Sequence, residues 1–360
     1  MQAAERIAES IRREGRISFA AFMEISLYDP EGGYYAKASR IGRGGDFYTS
    51  VSVGPAFGKV LAEQFHEMWE ILGRPQPFTI VEQGANDGQL LADILAAVHP
   101  PFREAIQCRI IEPLPSAKAL QAALLGDIGV PILWHERLAE LPPFEGVQFS
   151  NELVDAFPFH LMVSTGTGWE EMFVVTGIGG LEFVRGEPSP EVGSSPLPPL
   201  PSGHIAELRP SVSPWTSAVA SRLQRGYLLV TDYGDTRDKL LDGSRPRGTF
   251  ACYLNHRRDE NPLETPGEKD ITAHVDFTSL EEAGLQAGLQ PAGFTDQYRF
   301  LAGAAEGLLR EMDGHPDPQF LRQLKTLLHP ESMGAKFRAF CMKTPKTPEK
   351  VLSGFRHGLY

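Results

Sequence analysis

Two carboxylates and an amide stand close together in the stretch F-S-N-E-L-V-D-A-F-P-F, residues 149–159. Asn151 lies where a predicted strand ends, and Glu152 and Asp155 follow it three positions apart. If the segment turns helical there, both carboxylates share one face. Such a pair can hold a planar cation bidentately and accept a proton from it, while the amide orients the bound group. The alternative is a helix N-terminus whose acids only complement the helix dipole.

A glycine turn, V-E-Q-G-A-N-D-G at residues 81–88, separates an apolar β-branched run from a run with helical spacing. The spacing of Gly84 and Gly88 does not fit G-x-G-x-x-G, and no G-K-[ST] follows, so the dinucleotide fingerprint and the P-loop both fail. Glu82 precedes the turn, and Glu112 ends the next predicted strand, where a carboxylate can accept hydrogen bonds from both hydroxyls of a ribose.

This set of residues suits S-adenosylmethionine, which has a ribose and a charged amino-acid tail but no phosphate. Two alternatives stay open on these residues alone. The ligand could be another nucleotide, or the turn could only connect a strand to a helix.

Further candidates lie in two other segments. The loop R-G-G-D-F-Y-T-S, residues 43–50, places Asp46 and Thr49 beside aromatic residues, as a second cofactor-binding segment or as a surface loop. His256 and His274 are candidate substrate-binding residues, and the alternative for both is a capped loop with internal hydrogen bonds. Metal-ligand spacing does not recur elsewhere, so no metal is expected.

Composition narrows the class of protein. The 360 residues have 42% hydrophobic content and a formal net charge of -12, which argues against binding to nucleic acid or to an anionic membrane. The three cysteines lack zinc spacing and suit buried reduced thiols. The sequence shows neither a signal core nor a transmembrane run, so a cytoplasmic enzyme without membrane insertion is expected.

Alternating strands and helices must position these side chains. Residues 1–75 are predicted as an N-terminal helical region, 76–160 and 223–360 as the two halves of a sheet domain, and 161–222 as a β-rich and proline-rich insertion. The alternation predicts an α/β fold with a parallel sheet covered by helices. A capping-box pattern predicts a helix over 277–287 with Thr278 as its N-cap. The predicted strands are Thr79–Gln83, Cys108–Glu112, Pro131–Trp134, Val147–Asn151, Tyr227–Asp232, Phe294–Tyr298 and Phe337–Lys343, with helices at Leu90–Val98 and Ser116–Leu125.

An ordered set of motifs resembles one family. It comprises G-G-Y-Y, G-D-F-Y-T-S, V-E-Q-G-A-N-D-G, I-I-E-P, N-E-L-V-D-A-F-P, T-D-Y-G and L-E-T-P-G-E-K-D-I-T-A-H-V-D-F, from about residue 20 to the C-terminus. In this order the motifs look like those of the MidA-like class I methyltransferases, relatives of the mitochondrial complex I assembly arginine methyltransferase. The resemblance implies a Rossmann-like seven-stranded class I methyltransferase sheet and S-adenosylmethionine as methyl donor.

The family's motifs can be carried over to individual positions. The cofactor loop falls on Glu82, Gly84 and Gly88, and the ribose acid on Glu112. The N-E-x-x-D-A-x-P motif falls on residues 151–158. This chain departs from the family at Asn86, where a second glycine is common, and at 51–53, where Val-Ser-Val replaces a Pro-Glu. Asn tolerates a positive φ better than other side chains, so the turn is expected to survive with Asn86 facing the cofactor.

The expected reaction is methylation of an arginine side chain in a protein. Glu152 and Asp155 would hold the guanidinium and accept its proton, and Asn151 would orient the substrate. The alternatives are a methyltransferase for a small molecule or another side chain, and a non-catalytic assembly factor that retains the fold. A protein substrate, no nucleic acid and a possible homodimer complete the expectations about partners.

Overall fold

A computed structural model describes residues 3–37, 49–193, 197–254, 257–312, 314–329 and 333–358. Asp46 and His256 lie outside the described residues. The helices are α1 (Ala3–Glu14), α2 (Phe19–Tyr28), α3 (Ala56–Ile71), α4 (Gln89–Ala97), α5 (Phe102–Ala105), α6 (Pro115–Leu125), α7 (Val212–Arg222), α8 (Arg237–Leu240), α9 (Phe277–Gln286), α10 (Gln297–Ala304), α11 (Glu306–Glu311) and α12 (Pro318–Leu328). The strands are β1 (Ile17–Ser18), β2 (Phe78–Gln83), β3 (Ile106–Ile111), β4 (Ile132–His135), β5 (Phe144–Asn151), β6 (His160–Ser164), β7 (Trp169–Gly177), β8 (Gly180–Gly186), β9 (Ile205–Leu208), β10 (Leu223–Asp235), β11 (Ala251–Leu254), β12 (Arg257–Asp259), β13 (Asp270–Thr272), β14 (Val275–Asp276), β15 (Gln290–Asp296) and β16 (Phe337–Lys343).

The chain divides into two compact units. The first, called the β-rich unit, contains the described residues of Met1–Phe47, Val154–Pro214 and Asp235–Ser279. The second, called the sheet unit, contains those of Tyr48–Leu153, Trp215–Gly234 and Leu280–Tyr360.

The described residues of the sheet unit form seven strands in the order β4-β3-β2-β5-β10-β16-β15. The pairs β4·β3, β3·β2, β2·β5 and β5·β10 are parallel. Strand β16 runs antiparallel to both of its neighbours, β10 and β15. This confirms the expected seven-stranded class I methyltransferase sheet, and β16 has the bounds predicted for the last strand, Phe337–Lys343.

The core of the sheet unit follows from its central strands and the helix before them. Parallel strands covered on both faces need near-continuous apolar runs. In β2, Phe78, Ile80 and Val81 are fully buried, and in β5 Val147 is too. Helix α3 contributes the buried apolar residues that recur at helical spacing, including Phe57, Val60, Leu61, Phe65 and Met68.

The β-rich unit is built from antiparallel pairs. Strands β6, β7 and β8 pair in succession, β9 joins β6, and β1 joins β7. Strands β6 to β9 lie in the region predicted to be β-rich, apart from the first residue of β6. Phe19 of α2 packs against Phe159 with ring centroids 5.4 Å apart, in a core shared with Ile7, Leu161 and Ile271.

Local predictions are wrong at three places. The strand predicted over Phe294–Tyr298 ends at Asp296, because Asp296 caps helix α10, which begins at Gln297. The segment after β5 does not turn helical over residues 152–158, so helical periodicity does not place Glu152 and Asp155 on one face. Helix α9 begins at Phe277, one residue before the predicted cap. Asp276 accepts the Ser279 N–H at 3.2 Å, while Thr278 Oγ1 accepts the Arg237 N–H. Asp276, and not Thr278, therefore caps the N-terminus of α9.

The three cysteines are buried thiols, as the sequence predicts. Cys108, Cys252 and Cys341 are buried free thiols, and burial raises the pKa of each. Such thiols are poor nucleophiles at neutral pH because the thiolate is scarce.

None of the helices in the described ranges combines the length and the apolar character that crossing a membrane requires.

Candidate active site

The glycine turn after β2 takes the backbone into the left-handed region three times. The φ angles are 80° at Gly84, 51° at Asn86 and 89° at Gly88. Close packing also favours glycine at two of these positions. A Cβ on Gly84 would lie 3.1 Å from Leu153 Cδ1, and one on Gly88 would lie 3.2 Å from Leu125 Cδ1. Asn86 thus adopts the positive φ that glycine adopts most easily, and the turn survives the substitution.

Glu82 supplies a buried acid just before this turn. Its side chain is 2% exposed, and among the described residues its Oε2 has no hydrogen-bond partner. Burial, with a smaller contribution from Asp87, raises the pKa of Glu82 to about 8. An isolated buried carboxyl is costly unless a bound group pairs with it, so this atom fits a ligand that brings a hydrogen-bond donor or a positive charge.

Glu112 follows β3 and is held by a polar helix residue. Its Oε1 accepts the Leu114 N–H and its Oε2 accepts Gln121 Nε2, both at 2.9 Å. Gln121 Nε2 also donates to the Asn86 carbonyl at 2.9 Å, and Gln121 Oε1 accepts Trp134 Nε1 at 3.0 Å. Burial raises the pKa of Glu112, and the hydrogen bonds oppose that rise. A carboxylate oxygen has two lone pairs, so each oxygen can still accept a ribose hydroxyl.

Gln121 is a residue that sequence reasoning missed. It is fully buried on α6 in line with Ala117 and Leu125, four residues to either side. A polar residue within an otherwise apolar helical stripe is the signal that could have found it, because buried polar groups require partners.

Five residues at the carboxyl ends of β5 and β10 form what we call the strand-exit network: Asn151, Glu152, Leu153, Thr231 and Asp232. Glu152 has a φ of 53°, and its N–H donates to the Thr231 carbonyl at 2.9 Å. Thr231 Oγ1 donates to Asn151 Oδ1 at 2.9 Å, and Asn151 Nδ2 donates to Glu152 Oε1 at 3.1 Å. The Leu153 N–H donates to Asp232 Oδ2 at 3.2 Å. Asn151 and Glu152 are therefore tied by side-chain and backbone bonds to the neighbouring strand.

Asp155 and His274 belong to the β-rich unit, where one arginine ties their backbones together. Arg209 Nη2 donates to the Asp155 carbonyl at 2.9 Å, and its Nη1 donates to the His274 carbonyl at 2.8 Å. The Ala273 N–H also reaches the Asp155 carbonyl, at 3.2 Å, and the His274 N–H reaches Thr249 Oγ1 at 3.0 Å. The Asp155 side chain is 4% exposed.

Two tyrosines of the β-rich unit, Tyr28 and Tyr35, interact with Asp155 and Asp270 or with their neighbours. Tyr28 OH donates to the Ala156 carbonyl and Tyr35 OH to Asp270 Oδ1, both at 2.8 Å, and the two rings lie 5.4 Å apart. Burial, then the charges of Asp155 and Asp270, raises the pKa of Tyr28, and burial, then Asp270, raises that of Tyr35. Tyr35 belongs to the G-G-Y-Y motif, whose role the sequence did not reveal.

The remaining candidate, Thr49, takes part in a local turn. Its Oγ1 accepts the Ser52 N–H at 3.3 Å, and Ser52 Oγ donates to its carbonyl at 2.7 Å. The Val-Ser-Val segment that replaces the family's Pro-Glu forms a single 3₁₀ turn, Val51–Val53. Over the described residues, no group of three or more metal-ligating side chains comes together.

Comparison with known proteins identifies the class of protein that this fold and site define. The model of a family of S-adenosyl-L-methionine-dependent methyltransferases matches residues 60–295. A COG1565 superfamily member from Burkholderia thailandensis, solved with S-adenosyl-homocysteine bound, is 28% identical and superposes with a TM-score of 0.87 over 99% of this chain and 95% of that one. The chain belongs to this S-adenosylmethionine-dependent methyltransferase family, the MidA-like family that the motifs resemble.

Curated relatives extend over nearly the whole chain. Protein arginine methyltransferase NDUFAF7 of Danio rerio is 28% identical over 93% of this chain and 85% of its own length. The Homo sapiens protein of the same name is 27% identical over 96% of this chain and 83% of its own length. Both names describe mitochondrial proteins, and this finding contradicts the expectation of a cytoplasmic location, which is wrong.

The protein is thus an S-adenosylmethionine-dependent methyltransferase. Residues of the sheet unit fit this cofactor by their chemistry. Glu82 offers a buried unsatisfied oxygen, Glu112 offers acceptors at the end of β3, and Gly84, which has no side chain of its own, takes a φ of 80° in the turn between them.

Proposed function

We propose that this methyltransferase modifies an arginine side chain of a protein substrate. The proposal rests on one observation, the strand-exit network, which presents the Glu152 carboxylate at the carboxyl ends of the central strands. In doubly wound sheets, ligands bind outside these strand ends. The names of the curated relatives support a protein arginine as the acceptor.

A guanidinium is planar and stays protonated at neutral pH, so an enzyme must orient it and remove a proton as it reacts. S-adenosylmethionine, when bound, supplies an electrophilic methyl group. We assign Glu152 the tasks of accepting hydrogen bonds from the guanidinium and taking its proton, and Asn151 the task of orienting the carboxylate. Asp155, in the β-rich unit, is the second proposed acid, and His274 stays a proposed substrate contact.

The cofactor assignment is also a proposal at the level of individual residues. Glu112 would accept the ribose hydroxyls through lone pairs that Leu114 and Gln121 do not use. Glu82 would face the charged amino-acid tail, and the backbone of the turn at Gly84 and Gly88 would allow close approach. Asp46 and Thr49 stay candidates beside this set.

The first test replaces Glu152 with Gln and measures methyl transfer from labelled S-adenosylmethionine into lysate proteins. We expect a labelled protein band with the wild type and about a 100-fold or larger loss with Glu152→Gln, because a general base contributes rate on that order. Calorimetric binding of the cofactor should be unchanged, since the substitution keeps the size of the side chain.

The matched control is Glu145→Gln at the opposite end of β5, where Glu145 pairs with Arg225 at 2.6 Å. This variant should retain turnover. Equal activity of the wild type and Glu152→Gln would refute the role of Glu152. Label in a small compound instead of a protein band would refute the protein substrate, and mass spectrometry for methylarginine in the labelled band tests the acceptor.

A homodimer and the lack of nucleic-acid binding also stay proposals. The net charge of -12 supports the latter, because polyanions bind to basic surfaces. Light scattering of the purified protein tests the homodimer. An electrophoretic mobility shift assay with duplex DNA and with RNA tests the lack of nucleic-acid binding.

A further inference from the structure

Glu152 stands in a backbone conformation that its side chain disfavours. Its φ of 53° lies in the left-handed region, which residues other than glycine, Asn and Asp rarely adopt. Such conformations persist only where the surroundings hold them, and they cluster at functional sites. The sequence does not place glycine here, although glycine would relieve the strain. The residues that hold Glu152 in this conformation are therefore candidates for a functional role.

Thr231 holds Glu152 in two ways. Its carbonyl accepts the Glu152 N–H at 2.9 Å, and its hydroxyl donates to Asn151 Oδ1 at 2.9 Å. The ionised carboxylate of Glu152 only accepts hydrogen bonds, so it selects the amide orientation in which Nδ2 faces it, and Oδ1 then faces the Thr231 hydroxyl. The same hydroxyl lies 3.3 Å from the Ser150 carbonyl oxygen. Asn151 Nδ2 donates to Glu152 Oε1 at 3.1 Å. Without the hydroxyl, Asn151 Oδ1 loses this donor, and the amide is held less firmly against the carboxylate.

Asp232 holds the residue on the other side of Glu152. It is fully buried, and its Oδ2 accepts the Leu153 N–H at 3.2 Å while its Oδ1 accepts the Tyr233 N–H at 2.9 Å. Leu153 in turn packs against the glycine turn, close enough that a Cβ on Gly84 would lie 3.1 Å from its Cδ1. The strained residue is thus anchored on both sides, and the anchored segment contacts the cofactor loop.

We propose that Thr231 and Asp232 are positioning residues that lock Glu152 in its left-handed conformation with its carboxylate oriented by Asn151. This inference rests on the proposed function of Glu152 and explains why T-D-Y-G, residues 231–234, belongs with the active site. It predicts that the orientation of the acid, not its presence alone, limits turnover.

A kinetic test uses the hydroxyl of Thr231. Thr231→Val keeps the shape of the side chain but removes the donor to Asn151, and we expect kcat to fall by about 10- to 100-fold, the loss typical of a misplaced catalytic group. KM for the cofactor should stay the same, and Thr231→Ser, which restores the hydroxyl, should recover most of the turnover. A purely structural threonine would not show this separation of kcat from KM together with rescue.

Thr295→Val is the matched control. Thr295 is a fully buried threonine on β15 whose hydroxyl has no hydrogen-bond partner among the described residues. Its replacement removes the same atoms without removing a bond, so turnover should be retained. If Thr231→Val is as active as Thr295→Val, Thr231 does not position Glu152 and the proposal is overturned.

A second test does not depend on activity. Glu152→Gly and Glu152→Ala both lack the carboxylate, but only alanine retains the strain of a left-handed φ. If the lock exists, the glycine variant has the higher Tm. At Glu24, an exposed position within α2, the order should reverse, because glycine weakens an ordinary helix. A higher Tm for Glu152→Ala than for Glu152→Gly would overturn the lock.

The anchors themselves are tested by repeating this comparison in altered backgrounds. In Asp232→Ser, or in Thr231→Val should the first fold poorly, the advantage of glycine over alanine should shrink. An undiminished advantage would show that other residues hold Glu152. These melting experiments separate the two proposals, since a wild type that methylates no arginine refutes the proposed function while the Tm comparison still decides whether the lock exists.

Discussion

At the scale of residues, the buried acid Glu82 makes stability depend on pH. Burial raises its pKa from 4.5 to about 8, so the folded state binds a proton that the unfolded state releases between these values. The stabilising contribution is therefore complete below about pH 4.5 and is lost as the pH rises toward 8. Each pKa unit corresponds to about 1.4 kcal/mol.

We expect Glu82→Gln, which stays neutral, to remove this dependence. Urea unfolding of the ligand-free wild type should give a free energy of unfolding that falls from pH 5 to pH 8 relative to that of Glu82→Gln. Parallel profiles of the two proteins would show that Glu82 is already ionised in the folded state.

At the scale of elements, the central strands approach one another closely at two glycines. A Cβ on Gly226 of β10 would lie 1.8 Å from the Gly146 carbonyl oxygen of β5, and one on Gly146 would lie 2.0 Å from the Thr79 carbonyl oxygen of β2. Both glycines also have a positive φ. These glycines thus allow the strands that carry the candidate site to pair without a steric clash.

We expect Gly226→Ala to destabilise the protein by about 3 kcal/mol or more, because overpacking and a left-handed φ both contribute. The control is Gly179→Ala, in the turn between β7 and β8, where an added Cβ meets nothing within 4 Å and φ is not positive. Urea denaturation of both variants measures the difference. Equal stabilities would mean that the pairing of β5 with β10 adjusts to a side chain.

At the scale of the whole molecule, the fold limits which ligands stabilise it. The sheet unit has the strand order of a class I methyltransferase, and its glycine turn lacks the dinucleotide spacing. S-adenosyl-homocysteine should therefore raise the free energy of unfolding by about 2.7 kcal/mol at 100 times its Kd, whereas NAD should not. Thermal melts with each ligand test this. A rise with NAD alone would contradict the exclusion of a dinucleotide.

Local sequence determined much of this protein. The β-branched runs and helical spacings predicted the strands and helices of the sheet unit, because period and composition are local properties. The motifs marked Glu82, Glu112, Asn151 and Glu152 as candidates, because acids and amides at strand exits are visible in the sequence. The positive φ of Asn86 also followed from the tolerance of that side chain.

Other features were decided only by the tertiary structure. Whether residues 152–158 form a helix depended on bonds to Thr231 and Asp232, about 80 residues later in the chain, which hold Glu152 in a left-handed conformation instead. The partnership of Gln121 with Glu112 likewise required α6 to pack beside the end of β3. Sequence patterns report local periodicity and residue chemistry, whereas hydrogen bonds between distant segments exist only once the sheet has brought those segments together.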